Sequence, residues 1–238
     1  MTQSDNKDVE IYILHTRKYR DTSLLAEVFS REEGRYSLLF KGIRREAKKG
    51  SRSAGQIQPF VPIIVSVYGR GDLRTAVYQE TAPFSTRLLG RASFIGLYIN
   101  ELMYRVLGKY EPLPELYDDY KKVLNDLGSP EFDLGMLRRF EFALLMALGF
   151  GIDFGFDAKT GKPIDAGGVY RFVPQSGFEG TTSSEPRACS GETIHRMAVG
   201  DFSGAGASLS KWMVSASLRP LLGGRALKSR ELFSARNG

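Results

Sequence analysis

The 238-residue chain is nearly devoid of cysteine, with Cys189 its single thiol. One thiol closes no disulfide within the chain. With only His15 and His195 as histidines, and these far apart, the residues for a four-ligand zinc site are missing too. A reducing, cytosolic compartment is the expected home. No clean apolar run approaches the roughly 20 residues that span a bilayer, and the first eleven residues are polar and acidic, unlike a secretion signal. Enzyme signatures are also lacking: there is no G-x-x-x-x-G-K-[ST] phosphate loop, no G-x-S-x-G elbow and no H-E-x-x-H pair.

What is present is positive charge, unevenly placed. The net charge of +6 arises from the ends, because residues 1–80 and 219–238 are each net basic whereas 81–218 is slightly acidic. The excess is tightest between Arg35 and Arg52, where Arg35, Lys41, Arg44, Arg45, Lys48, Lys49 and Arg52 face a single anion, Glu46. Such clustering is the electrostatic footprint of a polyanionic partner.

Residues 9–14, 23–30, 35–41, 60–68 and 73–80 are short and rich in β-branched and aromatic side chains, with turn or polar segments between them. Gly69-Arg70-Gly71-Asp72 and Arg31-Glu32-Glu33-Gly34 supply glycine where hairpins require it. Five short strands with one long loop predict a small closed barrel of the oligonucleotide-binding (OB) type, since closure removes exposed edges. The long loop is the basic stretch Gly42–Gln58.

After Pro83 the apolar period lengthens. Ile95, Ile99, Leu102 and Val106 recur at helical spacing, a second helix is predicted from Pro114 to Leu127, and a third from about Asp133 to Leu148. The glycine-rich segment 151–190, with its alternating patch Val169–Val173, predicts loops and a little β structure. Helix returns weakly at Glu192–Ala198 and firmly at Ala207–Leu222. The expected architecture is α+β: an N-terminal five-stranded OB-type barrel over residues 1–82, then a helical domain over 83–238 with a loop-rich insertion at 151–190.

Several strings along this plan resemble the RecO family of bacterial recombination mediators. They are Phe40-Lys41-Gly42, Gln58-Pro59-Phe60, Tyr98-Ile99-Asn100-Glu101-Leu102, Leu137-Arg138-Arg139-Phe140-Glu141 with Leu148-Gly149, and Leu227-Lys228-Ser229-Arg230-Glu231-Leu232. The resemblance implies a protein of DNA repair and recombination, without catalytic turnover or cofactor, that binds single- and double-stranded DNA and anneals complementary strands. It implies RecR as partner, and RecA indirectly, loaded onto DNA coated by single-strand binding protein. The implied location is the cytoplasm, with the nucleoid. Some family members carry four zinc-ligating cysteines between the helices; this chain has only Cys189 there, so no metal site carries over.

For the basic stretch, Lys41, Arg44, Arg45, Lys48, Lys49 and Arg52 read as cations tracking a phosphate backbone, extended by Arg35, Arg70 and Arg74. A solvated loop is the plainer alternative. Tyr36, Phe60, Tyr68 and Tyr78 are candidates for base stacking, although aromatics in a small barrel more often fill its core. On the third helix, Arg138, Phe142 and Leu145 share a face suited to an acidic peptide ending in an aromatic residue and a free carboxylate. The resemblance implies that Arg138 captures the acidic tail of single-strand binding protein; spacing alone also fits an i,i+3 pair with Glu141. Lys228 and Arg230 offer a second basic contact or a solvated tail. Cys189 with His195 lacks an orienting carboxylate and reads as an ordinary thiol and imidazole. Two other function classes remain open: an RNA-binding barrel, and a metal-dependent nucleic-acid enzyme using Asp153, Asp157 and Asp165.

Overall fold

The computed structural model describes residues 7–43, 54–69, 71–82 and 87–230. Its N-terminal strands are β1 (Lys7–Tyr19), β2 (Ser23–Ser30), β3 (Gly34–Phe40), β4 (Ile63–Tyr68) and β5 (Leu73–Thr81). They close into a barrel in the order β1-β2-β3-β5-β4, with only the β3–β5 seam parallel. Period-two alternation turns Ile11, Ile13, Ala26, Val28, Leu38 and Ile63 inward, where burial of each larger side chain contributes about 1.5–3 kcal/mol. Three of the aromatics considered for base stacking are buried: Tyr36 and Tyr78 fill the barrel, and Phe60 lies against Gly96 and Leu88, leaving Tyr68 at the surface.

β1 is far longer than the predicted 9–14. A register shift between Ile13 and His15 makes Leu14 the extra residue of a bulge, so the residues beyond it change face. Pairing with β4 ends at Ile11↔Ile63, yet pairing with β2 continues to Tyr19↔Ser23. The last turn of this hairpin therefore stands clear of β4.

Two helices, α1 (Gly90–Val106) and α2 (Pro114–Leu127), belong to the same compact unit as the barrel. Asn100, buried on α1, donates through Nδ2 to the carbonyls of Ile13 (3.0 Å) and Leu14 (3.3 Å) at the bulge, where the ladder leaves acceptors open. The Tyr120 hydroxyl on α2 donates to Asn100 Oδ1 at 2.6 Å and fixes the amide's orientation. Tyr12, Phe29, Tyr117 and Tyr120 then pack ring on ring, so β2 is apolar on both faces. The α1–α2 connection runs beside β3, with Tyr110 N donating to Arg35 O at 2.9 Å. Gly34 (φ +67°) is required there, since a Cβ would meet Glu111 O at 1.8 Å.

The unit spans residues 1–130 and is rejoined by 226–238. Glu101 accepts the backbone N–H groups of Lys228 (2.9 Å) and Ser229 (2.7 Å), Arg105 donates to Ala226 O, and Leu227 is buried. The packing boundary thus falls after residue 130, beyond the strand-to-helix change expected at residue 83, because Asn100 and the tyrosines fuse α1 and α2 to the strands.

The second unit spans 131–225 and holds α3 (Leu134–Ala147), a small sheet ordered β7-β6-β8 (Gly177–Gly180, Val169–Val173, Cys189–Ser190), α4 (Gly191–Ala198) and α5 (Ala205–Leu221). Phe172, Phe178, Ile194, Met197 and Met213 form its core, with Phe142, Phe154 and Trp212 packed around them. The glycine-rich insertion is ordered by Asp157. Its carboxylate accepts the N–H groups of Lys159 (2.8 Å) and Thr160 (2.9 Å) on one oxygen and of Gly180 (2.9 Å) on the other.

Candidate nucleic-acid interface

The two ends of the barrel differ in chemistry. At one end lie the β1–β2 hairpin, the exit of β3 and the entry to β4. Ile43 and Ile57, flanking the basic stretch, are both buried in the barrel core and plug this end. The stretch therefore departs from and returns to one end of the barrel. Its cations Arg44, Arg45, Lys48, Lys49 and Arg52 lie outside the described residues, as does Arg70. Lys41, at the exit of β3, is exposed.

Sequence reasoning missed three cations at this same end. Arg17 and Lys18 are exposed, and Arg20 lies over the Tyr19 ring at 5.5 Å. Cross-strand pairing of Arg17 with Leu25 and of Lys18 with Leu24 places them on opposite faces of the hairpin, Lys18 on the side that lines the barrel. The run Arg17-Lys18-Tyr19-Arg20 was the available signal, hidden because the strand was ended at Leu14.

At the opposite end the described arginines of β3 and β5 are neutralised. Arg74 sits on the inward side of β5, bound through two nitrogens to Glu33 (2.7 and 3.1 Å) and stacked over Tyr36 at 4.5 Å and Tyr110 at 5.4 Å. The Glu33 bond holds the guanidinium pKa above its ordinary value, and burial pushes the Tyr36 hydroxyl up to about 12. Arg35 pairs with Glu27 at 2.8 Å and donates to Leu107 O at 3.0 Å. Both arginines, expected to extend the phosphate track, instead brace the barrel against its own connections.

In the second unit, the face proposed for an acidic tail is rearranged. Leu145 is wholly buried and so lines no groove, and the partly buried Phe142 packs against the core, edge-on to Phe154 and stacked on Phe202. Arg138 pairs with the fully buried Glu141 at 2.6 Å. Its neighbour Arg139 is exposed and donates to Gly200 O at 2.8 Å. It lines an open cleft with Leu134 (52% exposed), Val199 (84% exposed) and Phe202. The cleft's carboxylates are engaged, Asp133 capping α3 at Met136 N and Asp201 bound to Arg196, Ser203 and its own loop.

Lys228 is exposed, and for Arg230 only the backbone is described. Asp153 and Asp165 each accept a backbone N–H two residues on, and Asp157 holds its own loop, so the three aspartates make turns. Among the described residues no group of three His, Cys, Asp or Glu side chains could hold a metal. Cys189, its pKa pushed up to about 11 by burial, donates to Tyr170 O and lacks thiol companions. A four-cysteine zinc site, of the kind the resemblance attributes to some family members, cannot be built from this chain's single cysteine.

A five-stranded closed barrel followed by helices defines the class: a protein built on an OB-type barrel. Residues 6–82 match the family model for the recombination protein O N terminal domain, and residues 89–226 that for its C terminal domain. The chain is 37% identical over 224 residues to the DNA repair protein RecO of Actinobacillus succinogenes, covering 94% of this chain and 93% of that protein. It is 36% identical to that of Vibrio parahaemolyticus (93% and 90% covered) and 37% identical to that of Shigella flexneri (93% and 91%). The chain belongs to the RecO family. Among the described residues no helix is long and apolar enough to cross a membrane.

Proposed function

We propose that this chain is a non-enzymatic recombination mediator of the cytoplasm and nucleoid. It binds single-stranded and duplex DNA through the basic end of its barrel, anneals complementary strands and, with RecR, helps load RecA onto DNA coated by single-strand binding protein. The observation that carries this reading is the anchoring of Ile43 and Ile57 in the barrel core, which ties the most cationic stretch of the chain to one barrel end. Family membership supports the repair role.

Single-strand binding protein is engaged, on this reading, by its acidic tail in the cleft of the second unit. Arg139 supplies the exposed cation for a terminal carboxylate, while Leu134, Val199 and Phe202 supply the apolar wall for an aromatic side chain. This moves the role from Arg138, held inward by Glu141.

The test mixes two complementary oligonucleotides precoated with single-strand binding protein, with and without this chain and without nucleotide triphosphate. Faster pairing is the expected result. With single strands alone, four or more phosphate contacts give a slope of log K against log salt of roughly −3. Binding indifferent to salt, together with unaccelerated pairing, overturns the reading.

A further inference from the structure

The barrel has two walls and two ends over which a single strand could pass, and among the described residues three of these are closed to it. In OB-type barrels the usual oligonucleotide surface runs across strands two and three and is flanked by the β1–β2 and β4–β5 loops. Here the outward residues of those strands are covered by the chain itself: Phe29 by Tyr117 and Tyr120, Arg35 by Leu107 and Tyr104, and Ser37 by Lys109, whose Nζ donates to Ser37 Oγ at 2.6 Å. The other wall, formed by β4, β5 and the start of β1, carries Asp8 and Glu10, hydrogen-bonded to Ser66 and Tyr117. The single cation of β4 and β5, Arg74, is neutralised by Glu33 at the sealed end.

We propose that nucleic acid crosses the barrel at the end formed by the β1–β2 hairpin and the base of the basic loop. Arg17, Lys18 and Lys41 contact phosphates there and Tyr19 stacks a base, and the strand does not lie along β2 and β3. The inference rests on the reading above that the barrel binds single strands. The bulge at Leu14 is what makes the site: it turns Lys18 toward the barrel mouth and Arg17 outward, on a hairpin that has left β4 behind. Cations on an open strand edge also discourage pairing with other chains. That account does not reach Lys41, which lies past the end of a paired strand and still belongs to the same barrel end.

Lysine footprinting of the full chain, acetylated with and without oligo(dT) and read by mass spectrometry, tests the path. Lys18 and Lys41 should be protected, and Lys109 and Lys121 should not. Lys18→Ala combined with Lys41→Ala should weaken oligo(dT) binding roughly tenfold at ~0.1 M salt, with an unchanged thermal midpoint. Protection of Lys109 without Lys18 restores the path along β2 and β3 and overturns the inference. Protection confined to Lys48 and Lys49 also overturns it, while leaving the single-strand reading intact. If oligo(dT) does not bind the unaltered chain, it is the underlying reading that fails.

Discussion

The side-chain amide of Asn100 donates to the carbonyl oxygen of Ile13 across 3.0 Å, tying α1 to the barrel at the point where β1 changes face. Because Tyr120 donates to the other end of the same amide, two helices and a strand bulge depend on one buried side chain. Asn100→Leu leaves the carbonyls of Ile13 and Leu14 and the Tyr120 hydroxyl without this partner, and loss of buried hydrogen bonds of this kind costs about 1–3 kcal/mol each. The urea midpoint should fall accordingly with little change in the denaturant slope. A midpoint equal to the unaltered chain's would separate the bulge from the amide.

Glu101, the next residue on α1, holds the returning end of the chain. Burial acts to raise its pKa, but the N–H groups of Ser229 and Lys228 and the nearby Arg105 outweigh it and hold the carboxyl below its ordinary value. A depressed carboxylate stabilises the fold above its unfolded pKa, and the contribution is lost as pH falls through the folded pKa. Hydrogen exchange at residues 226–230 should therefore quicken as pH is lowered into the acid range, after correction for the intrinsic rate. Glu101→Gln should show the faster exchange already at neutral pH; equal protection in both proteins contradicts the role.

How much of this was legible in sequence depended on locality. The barrel was readable because Leu24, Ala26 and Val28, or Tyr36, Leu38 and Phe40, alternate in an unbroken period of two. The bulge at Leu14 interrupts that period, so the alternation stops five residues before β1 does and does not reach Arg17-Lys18-Tyr19-Arg20. Counting cations could not reveal that Arg35 and Arg74 meet Glu27 and Glu33, because those partners are supplied by strand pairing and by turns. Arg138 and Arg139 lie about 100° apart on a helix; which one faces solvent was decided by where Glu141 is buried.

Asp157 does by hydrogen bonding what ordering a glycine-rich insertion requires. Its carboxylate gathers the N–H groups of Lys159, Thr160 and Gly180, and despite the opposing effect of burial these bonds hold its pKa below the ordinary value. By the same sign argument, stability of the second unit should be lost as pH falls below the ordinary carboxylate range. Asp157→Ala should lower the thermal midpoint of the chain, with hydrogen bonds to a charged acceptor contributing about 1.5–3 kcal/mol each. A metal chelator should leave the unaltered chain's midpoint where it is. A chelator-induced drop would reveal a metal that this side-chain set does not explain.

Neighbouring arginines on α3 offer the sharpest contrast. Arg138 has 13% of its side chain exposed and neutralises a fully buried carboxylate, so removing it leaves Glu141 charged in the interior. Breaking a buried pair from one side costs about 3 kcal/mol, and Arg138→Ala should unfold at markedly lower urea. Arg139 makes its one described bond to a backbone carbonyl at the rim of the cleft, and Arg139→Ala should leave the urea midpoint within about 0.5 kcal/mol of the unaltered chain. Their effects on an acidic peptide with an aromatic C-terminus should be reversed. Arg139→Ala should weaken the peptide about tenfold, the scale of one charge-assisted contact, whereas Arg138→Ala, measured where it remains folded, should bind it nearly as well. Isothermal titration with the peptide, run beside the urea series, separates the two effects. Loss of peptide binding in folded Arg138→Ala with full binding in Arg139→Ala would return the site to the inward-facing arginine.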